Sequence, residues 1–504
     1  MTKIALRLVT ALLLAPLVAL GADDLPKLKP NVLLIVSEDN GPQLGCYGDA
    51  YARTPNLDRL ASEGVRFNRA FVPQAGCSQS RASFLTGLYP HQHGQIGLAT
   101  WGYRLYREDT PNIPRNLKAA GYRTGIIGKL HVNPESAFTY DTVEIPNGNF
   151  SRKHLADYAR HAEAFFKGGD QPFFLHINYP DAHDPFLAQV DGLPKNPLVG
   201  KDVKALPYFG IDPPELRQLV ADYYNCMSRL DSLVGDLLSA LERSGTTDNT
   251  IVIYMGDHGP DLLRGKRSCY EGGTHIPLLI RWPGKAKPQV CDELVSTIDL
   301  MPTVLAACGA PAVPGLPGMT LQPLLTNESV NWRTHLFTEF HTHAAAANFF
   351  PQRALRSDRY KLIENLLPDE ANPDMEKIDK EFPFVAAAVA AAPEQVRAAY
   401  QLQQKPPRYE LYDLKTDPFE FHNLAASSDH AAVLDDMKQR LQTEREQTHD
   451  PLLNPDNLTR LKAEVYAVNR KAEGKQLTWG YPDYFFGKEP VISAKPAKKK
   501  KKQR

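Results

Sequence analysis

Two apolar runs in this chain end in groups suited to holding a metal ion. "NVLLIVSEDN" closes on Glu38 and Asp39, and "TIVIYMGDHG" carries Asp257 and His258 just past its apolar residues. Two adjacent acids at a buried strand end repel each other unless a cation lies between them. Taken alone, Glu38 and Asp39 read equally as a helix cap or a surface turn. Oxygen ligands converging from two strand ends suit a hard divalent ion, calcium or magnesium. His258 adds a nitrogen ligand or a hydrogen bond to a bound substrate.

A third stretch, "CSQSRASFLTG", begins at Cys77 and places Arg81 one helical turn further on. A cysteine in that setting is a nucleophile, a metal ligand, half of a disulfide or filler, and its own neighbours leave all four open. Further cations and imidazoles follow: Lys129 and His131 in "GKLH", His183 in "DAHDP" after the apolar run "PFFLHINY", and Lys266 in "RGKRSCYEGG". Each alone reads as a solvated charge or a core histidine. Together with the acids they describe a site that binds a small tetrahedral oxyanion and stabilises charge on it.

The elements that must position these groups alternate. Strand-like runs such as "NVLLIVS", "PFFLHINY" and "TIVIYMG" are separated by helical patterns, among them "TPNLDRLASEGVRF", with Thr54 as its cap. A long amphipathic helix follows from Pro214 to Ser244, stopped by Gly245. Such alternation predicts an α/β fold, a mostly parallel central sheet with helices on both faces. In such sheets ligands gather beyond the carboxyl ends of the strands, where the acids fall. After about Asn331 the pattern changes to short antiparallel strands and a terminal amphipathic helix in "DHAAVLDDMKQRLQTEREQ". The expected organisation is a catalytic domain over 28–330 and a smaller C-terminal α+β subdomain with an antiparallel sheet over 331–487.

The two ends lie outside this scheme. Lys3 and Arg7 precede an apolar run from Leu8 to Leu20, with small residues at Ala19, Gly21 and Ala22, which reads as a secretory signal over 1–22. Pro16 and the short length argue against a span, so none is expected once the signal is cleaved, and the destination is secreted or periplasmic. The end "AKPAKKKKKQR", within 488–504, reads as a basic disordered tail. A formal net charge of zero removes any global case for nucleic acid as a partner. The six cysteines show no CxxC spacing, which argues against a zinc knuckle or a disulfide scaffold.

From about Pro30 to Leu424 the chain resembles a type I sulfatase of the alkaline phosphatase superfamily. "CSQSRASFLTG" is similar to that family's signature, and "YEGGTHIPLLIRWPG" and "YELYDLKTDPFEFHNLA" match stretches outside the catalytic core. The resemblance implies an alkaline-phosphatase-like sheet and Cys77 oxidised to formylglycine by a formylglycine-generating enzyme. The hydrated aldehyde explains why a cysteine opens the motif. One hydroxyl attacks sulfur, the other then loses its proton, and sulfate leaves with the carbonyl restored, so water never has to attack an anionic sulfur. By position, Glu38, Asp39, Asp257 and His258 would bind calcium with residue 77. Arg81 and Lys129 would hold the hydrate, and His131 would take the second hydroxyl's proton. His183 and Lys266 would bind the sulfonate oxygens, one of them protonating the leaving group, with Asp257 as base for attack. Two positions depart from the pattern: Glu38 stands where aspartate is usual, and Gln79 where the modifying enzyme usually meets proline or alanine.

"LTGLYPHQHGQIGL", "GYRTGIIGKLHV" and "EREQTHDP" are most similar to the heparan N-sulfatase (N-sulfoglucosamine sulfohydrolase) branch. That implies a sulfated glycan substrate, N-sulfated glucosamine at a heparin or heparan chain end first and O-sulfated sugars second. "TEFHTHAAAANFFPQR" offers Glu339, His341 and His343 as readers of sugar hydroxyls, or else is a polar loop between domains. A phosphoester or phosphonate hydrolase on the same scaffold stays open. So does a non-catalytic sulfoglycan-binding protein, should Cys77 remain a thiol.

Overall fold

The computed structural model describes residues 29–468 and 477–487. The signal reading over 1–22 and the basic tail over 488–504 lie outside the described residues. Thirteen strands form two sheets. The larger contains β1 (Asn31–Ser37), β2 (Val65–Phe71), β3 (Arg123–Gly128), β4 (Thr142–Glu144), β5 (Phe173–Tyr179), β6 (Thr250–Gly256), β7 (His275–Arg281), β8 (Gln289–Cys291) and β9 (Val295–Ser296). Their order is β4-β3-β5-β1-β6-β7-β2-β8, with β9 also pairing to β2. Only β7 runs against the others.

β1 sits at the centre because both of its faces are apolar. Leu33 and Ile35 point into a core with Leu175, Ile177 and the long helix Pro214–Arg243, through Leu230, Val234 and Leu237. Val32, Leu34 and Val36 point into the opposite core with Phe84, Leu117 and the helix Leu300–Ala307. Register then decides where the polar residues emerge. Ser37 lies opposite Tyr179 on one side and Gly256 on the other, so the segments after β1, β5 and β6 leave the sheet together. Glycine is required at two points of this edge. Gly128 has φ +93° and a Cβ there would meet the Asn178 carbonyl; a Cβ on Gly256 would meet the Asn40 carbonyl.

The second sheet is an antiparallel meander of β10 (His335–Phe340), β11 (Gln352–Ser357), β12 (Tyr360–Asn365) and β13 (Tyr409–Asp413). One face carries Phe337, Leu355 and Leu362 against Met437 and Leu441 of the helix Ala431–Gln447. The other packs Phe340, Ala354 and Ile363 on Cys269 and Tyr270 of the first domain.

Three details differ from the sequence-based expectation. The helix Ala431–Gln447 is not terminal, because Pro455–Ala467 and Tyr481–Phe486 follow it. Helices Pro373–Glu381, Val385–Ala390 and Glu394–Gln404 intervene between β12 and β13, and their sparse apolar residues, among them Met375, Ile378 and Val396, join the core of the first sheet. Thr54 does not cap its helix through its hydroxyl, which accepts from the Gly45 N–H at 2.9 Å and donates to Asp58 at 3.1 Å. All six cysteines are free. Among the described residues no helix is long and apolar enough to cross a membrane.

Candidate active site

The strand ends converge on Cys77, the first residue of the helix Cys77–Thr86, which begins six residues after β2 closes. That helix is buried along its whole length, so Cys77 meets groups from every side. Its Sγ lies 3.3 Å from His258 Nε2 and 3.9 Å from Asp39 Oδ1. His258 Nδ1 faces the Gly259 carbonyl at 2.8 Å, which leaves Nε2 turned inward, 3.3 Å from Asp39 Oδ1. The Asp39 backbone N–H donates to Asp257 Oδ1 at 2.9 Å, joining the ends of β1 and β6.

Arg81, one turn along the helix, is wholly buried and holds the cluster from beneath. Its Nη2 donates to Glu38 Oε1 at 2.8 Å and Asp257 Oδ2 at 3.1 Å, and its Nη1 to the Lys129 carbonyl at 3.1 Å and to Asn178. Lys129 Nζ donates to Glu38 Oε2 at 2.9 Å, and Lys266 Nζ to Asp39 Oδ2 at 2.9 Å. The turns that aim these groups are unusual for residues other than glycine. Asp39, His131, Arg264 and Arg267 all have positive φ, each costing on the order of 1 kcal/mol or more.

Proton affinities follow from this packing. Burial works against the charge on Glu38, but Lys129 and Arg81 outweigh it and bring the carboxyl down to about 2. Asp257 is pushed the other way, up to about 6, by burial that His258 and Arg81 only partly offset, with Glu38 adding to the rise. Burial also opposes the Cys77 thiolate, yet Lys129, Lys266 and His258 hold the thiol well below its usual range. The two remaining histidines diverge. Burial and then Lys129 lower His131 to about 4. His183 is raised, because Asp39 and its bond to Cys77 outweigh burial.

The donor set fits a divalent ion. Glu38, Asp39, Cys77 and His183 present ligand atoms within 4.8 Å of one another, as do Asp39, Cys77, Asp257 and His258. The two groupings share Asp39 and Cys77 and so form one centre. Three carboxylates there face three fixed cations, Arg81, Lys129 and Lys266. Adding a divalent ion leaves the site net positive, the sign an oxyanion needs.

The structure thus brings together Glu38, Asp39, Cys77, Arg81, Lys129, His131, His183, Asp257, His258 and Lys266. The expected sugar-reading trio separates. Glu339 and His341 are wholly buried and turned into an interior network: Glu339 binds the His91 ring at 3.0 Å, and His341 lies between Gln74 at 3.2 Å and Arg353 at 3.0 Å. Glu339 is on β10 and His341 just past its end, and their partners hold both side chains in the interior. His343, just past the strand, does approach the site: its proton affinity falls well below the usual value through burial and then Lys266, with Cys77 opposing.

Sequence reasoning missed three supports. Asn178, next to last in β5, holds Arg81; a polar residue near the carboxyl end of a buried strand was the available signal. Phe150 stacks on His183 at 3.9 Å between centroids and lies 4.9 Å from Lys129 Nζ. Asp181 ties the His183 segment to Arg152 and Arg229. No local pattern marks the last two. A surface groove of about 500 Å³ lined by Asp49, Tyr51, Lys204 and Tyr224 shares none of these residues.

Residues 30–310 match the family model described as Sulfatase, and residues 256–382 the one described as N-sulphoglucosamine sulphohydrolase, C-terminal. Human N-sulphoglucosamine sulphohydrolase is 30% identical over 458 residues, covering 84% of this chain and 91% of that protein. An ulvan-active sulfatase of Formosa agariphila is 27% identical over 420 residues, covering 80% of this chain and 78% of its own. Among solved structures, a protein in complex with its substrate D-glucosamine-2-N,6-O-disulfate aligns with a TM-score of 0.63 at 20% identity, over 84% of this chain and 98% of that one. The phosphonate monoester hydrolase of Agrobacterium radiobacter aligns with a TM-score of 0.63 at 20% identity, over 83% and 96%. At those identities the likeness is one of fold.

Proposed function

Starting from a chain that belongs to the sulfatase family, we propose that it removes sulfate from a sulfated glycan, with the N-sulfate of glucosamine at a heparin or heparan chain end as its preferred bond. The observation that carries this reading is the placement of Cys77 at a helix start, ringed by three carboxylates, three fixed cations and the histidines 131, 183 and 258. The choice of N-sulfate is supported by the C-terminal family match and the human relative.

Glu38, Asp39, Asp257, His258 and residue 77 would hold calcium, which when bound polarises the oxygens it touches and lowers the proton affinity of a hydroxyl there. Conversion of Cys77 to formylglycine would supply two hydroxyls on one carbon. This chain's own groups then divide the work. Arg81 locks the Glu38 and Asp257 carboxylates in place, and Lys129 and Lys266 bring positive charge to the oxygens of a bound sulfonate. His131, kept neutral by burial and Lys129, accepts a proton. His183, kept protonated by Asp39, donates one to the leaving nitrogen or oxygen. Two groups whose surroundings drive their proton affinities apart make a matched base and acid.

The test is peptide mass spectrometry of the Cys77 segment, combined with assays on N-sulfoglucosamine and on an aryl sulfate. An aldehyde at residue 77 with turnover of the sulfamate is the expected result. An intact thiol with no turnover removes the enzyme reading, and release of a 6-O-sulfate without the sulfamate removes the branch while leaving the class.

A further inference from the structure

The helix that presents Cys77 also anchors both walls above it. Ser78 Oγ accepts the Ala99 N–H at 2.9 Å. Gln79 Nε2 donates to the Thr342 carbonyl at 2.8 Å and to the Ile96 carbonyl at 3.3 Å. Gln74 reaches the same two carbonyls at longer range, 3.2 Å and 3.4 Å, while its Oε1 meets His341. The two walls also join each other, since the Leu98 N–H donates to the His343 carbonyl at 3.0 Å.

His343 is held on both sides, through the Thr342 carbonyl before it and through its own carbonyl. It is buried, its Nδ1 has no partner among the described residues, and Lys266, Cys77, Arg267 and Asp261 supply the charges it feels. Gln79 itself carries an unmet Oε1. A buried amide with one unsatisfied atom is a costly way to fill space, so volume alone does not account for it. What the residue contributes is its N–H donor, directed at the peptide next to His343.

We propose that Gln79 is a positioning residue for substrate: by holding the Thr342 carbonyl it places His343 Nδ1 to hydrogen-bond a sugar next to the sulfated group. This rests on the sulfated-glycan reading above. The position where the signature departs from its usual proline or alanine is thereby joined to recognition of the sugar rather than to chemistry at sulfur.

The test compares Gln79→Ala, Gln79→Glu and His343→Ala with wild type, each corrected for aldehyde occupancy at residue 77 by peptide mass spectrometry. KM and kcat are measured on an N-sulfoglucosamine-terminated disaccharide and on an aryl sulfate, which lacks the sugar. Gln79→Glu keeps the volume but donates nothing from its carboxylate, so it guards against a simple packing defect. The expected result is a rise in disaccharide KM of roughly two- to ten-fold, the equilibrium weight of one hydrogen bond. It should be alike in Gln79→Ala and Gln79→Glu, absent for the aryl sulfate, and not additive with His343→Ala. Equal shifts on both substrates, an unchanged disaccharide KM, a wild-type-like Gln79→Glu or full additivity would each overturn the proposal. Converted wild type that is inert on both substrates overturns the glycan-sulfatase reading, and this inference with it.

Discussion

His131 and His183 both hydrogen-bond the Cys77 side chain, yet the proton affinity of the first is lowered to about 4 and that of the second is raised. The difference comes from neighbours: Lys129 beside the first, Asp39 beside the second. His183 Nδ1 also faces the Asp184 carbonyl at 2.6 Å, leaving Nε2 as the nitrogen that would deliver a proton under the proposed function. Replacement His183→Asn should therefore lower kcat by about 10²- to 10⁴-fold on a sulfamate or alkyl sulfate, whose leaving atom needs that proton. A nitrophenyl sulfate, whose phenolate leaves unprotonated, should lose far less. Parallel kcat measurements decide it; equal losses on both substrates would make His183 a binder of sulfonate oxygens instead. "GKLH" and "DAHDP" marked both histidines as residue types at strand ends, and only the family resemblance suggested roles for them. Their opposite proton affinities were not legible there, because burial, which local spacing does not show, comes first for His131, and His183 is raised by Asp39, far away in sequence.

Among the elements, the carboxyl edge of the sheet does the positioning, and its parts were unequally readable. The strands announce themselves as apolar runs, and the residues after β1 and β6 stood out as candidate ligands before any register was known. The register of Ser37 with Tyr179 and Gly256 turned nearness in principle into contact. Glu339 lies on β10 and His341 just past its end, and the alternation they share turns both into the buried network with His91, Gln74 and Arg353. The segment after β5 depends on Asp181, which accepts from Arg152 Nε at 3.1 Å and from Arg229 at 2.6 Å and 2.8 Å, all buried. Arg152 also donates to the His183 carbonyl. Asp181→Asn leaves two buried guanidinium groups without a counter-charge, and breaking such a cluster costs about 3–5 kcal/mol. Urea unfolding should show that loss, accompanied by a drop in kcat as His183 loses its fixed position. A loss under about 1 kcal/mol would mean that water or Pro180 takes over, against this account.

At the scale of the whole molecule, a buried polar network fastens the two sheets together. His91 follows the Cys77 helix, its Nδ1 3.0 Å from Glu339 on β10 and its Nε2 3.1 Å from the Thr448 carbonyl. Arg353 on β11 reaches Asp450 with two bonds of 2.8 Å, and Arg445 joins Asp450 to Glu364 on β12. His91 has both ring nitrogens facing acceptors, so its charged form is the one the fold matches. Its proton affinity is accordingly raised from 6.5, with Glu339 and Asp450 outweighing burial and Arg353. Burial opposes ionisation of Glu339, but His91 and Arg353 bring it from 4.5 down to about 2. The signs then separate. A lowered carboxyl stabilises the fold fully above 4.5 and loses that contribution as pH falls toward 2. A raised imidazole stabilises it fully below 6.5 and loses that contribution as pH climbs through its folded value. Both contributions are complete only between about 4.5 and 6.5. Thermal melts of wild type and His91→Gln across pH should show their widest Tm gap in that window, narrowing steadily on the alkaline side. A gap that stays constant from pH 5 to 9 would mean that folding leaves the proton affinity of His91 unchanged, and one that widens as pH rises would mean that His91 is neutral in the fold.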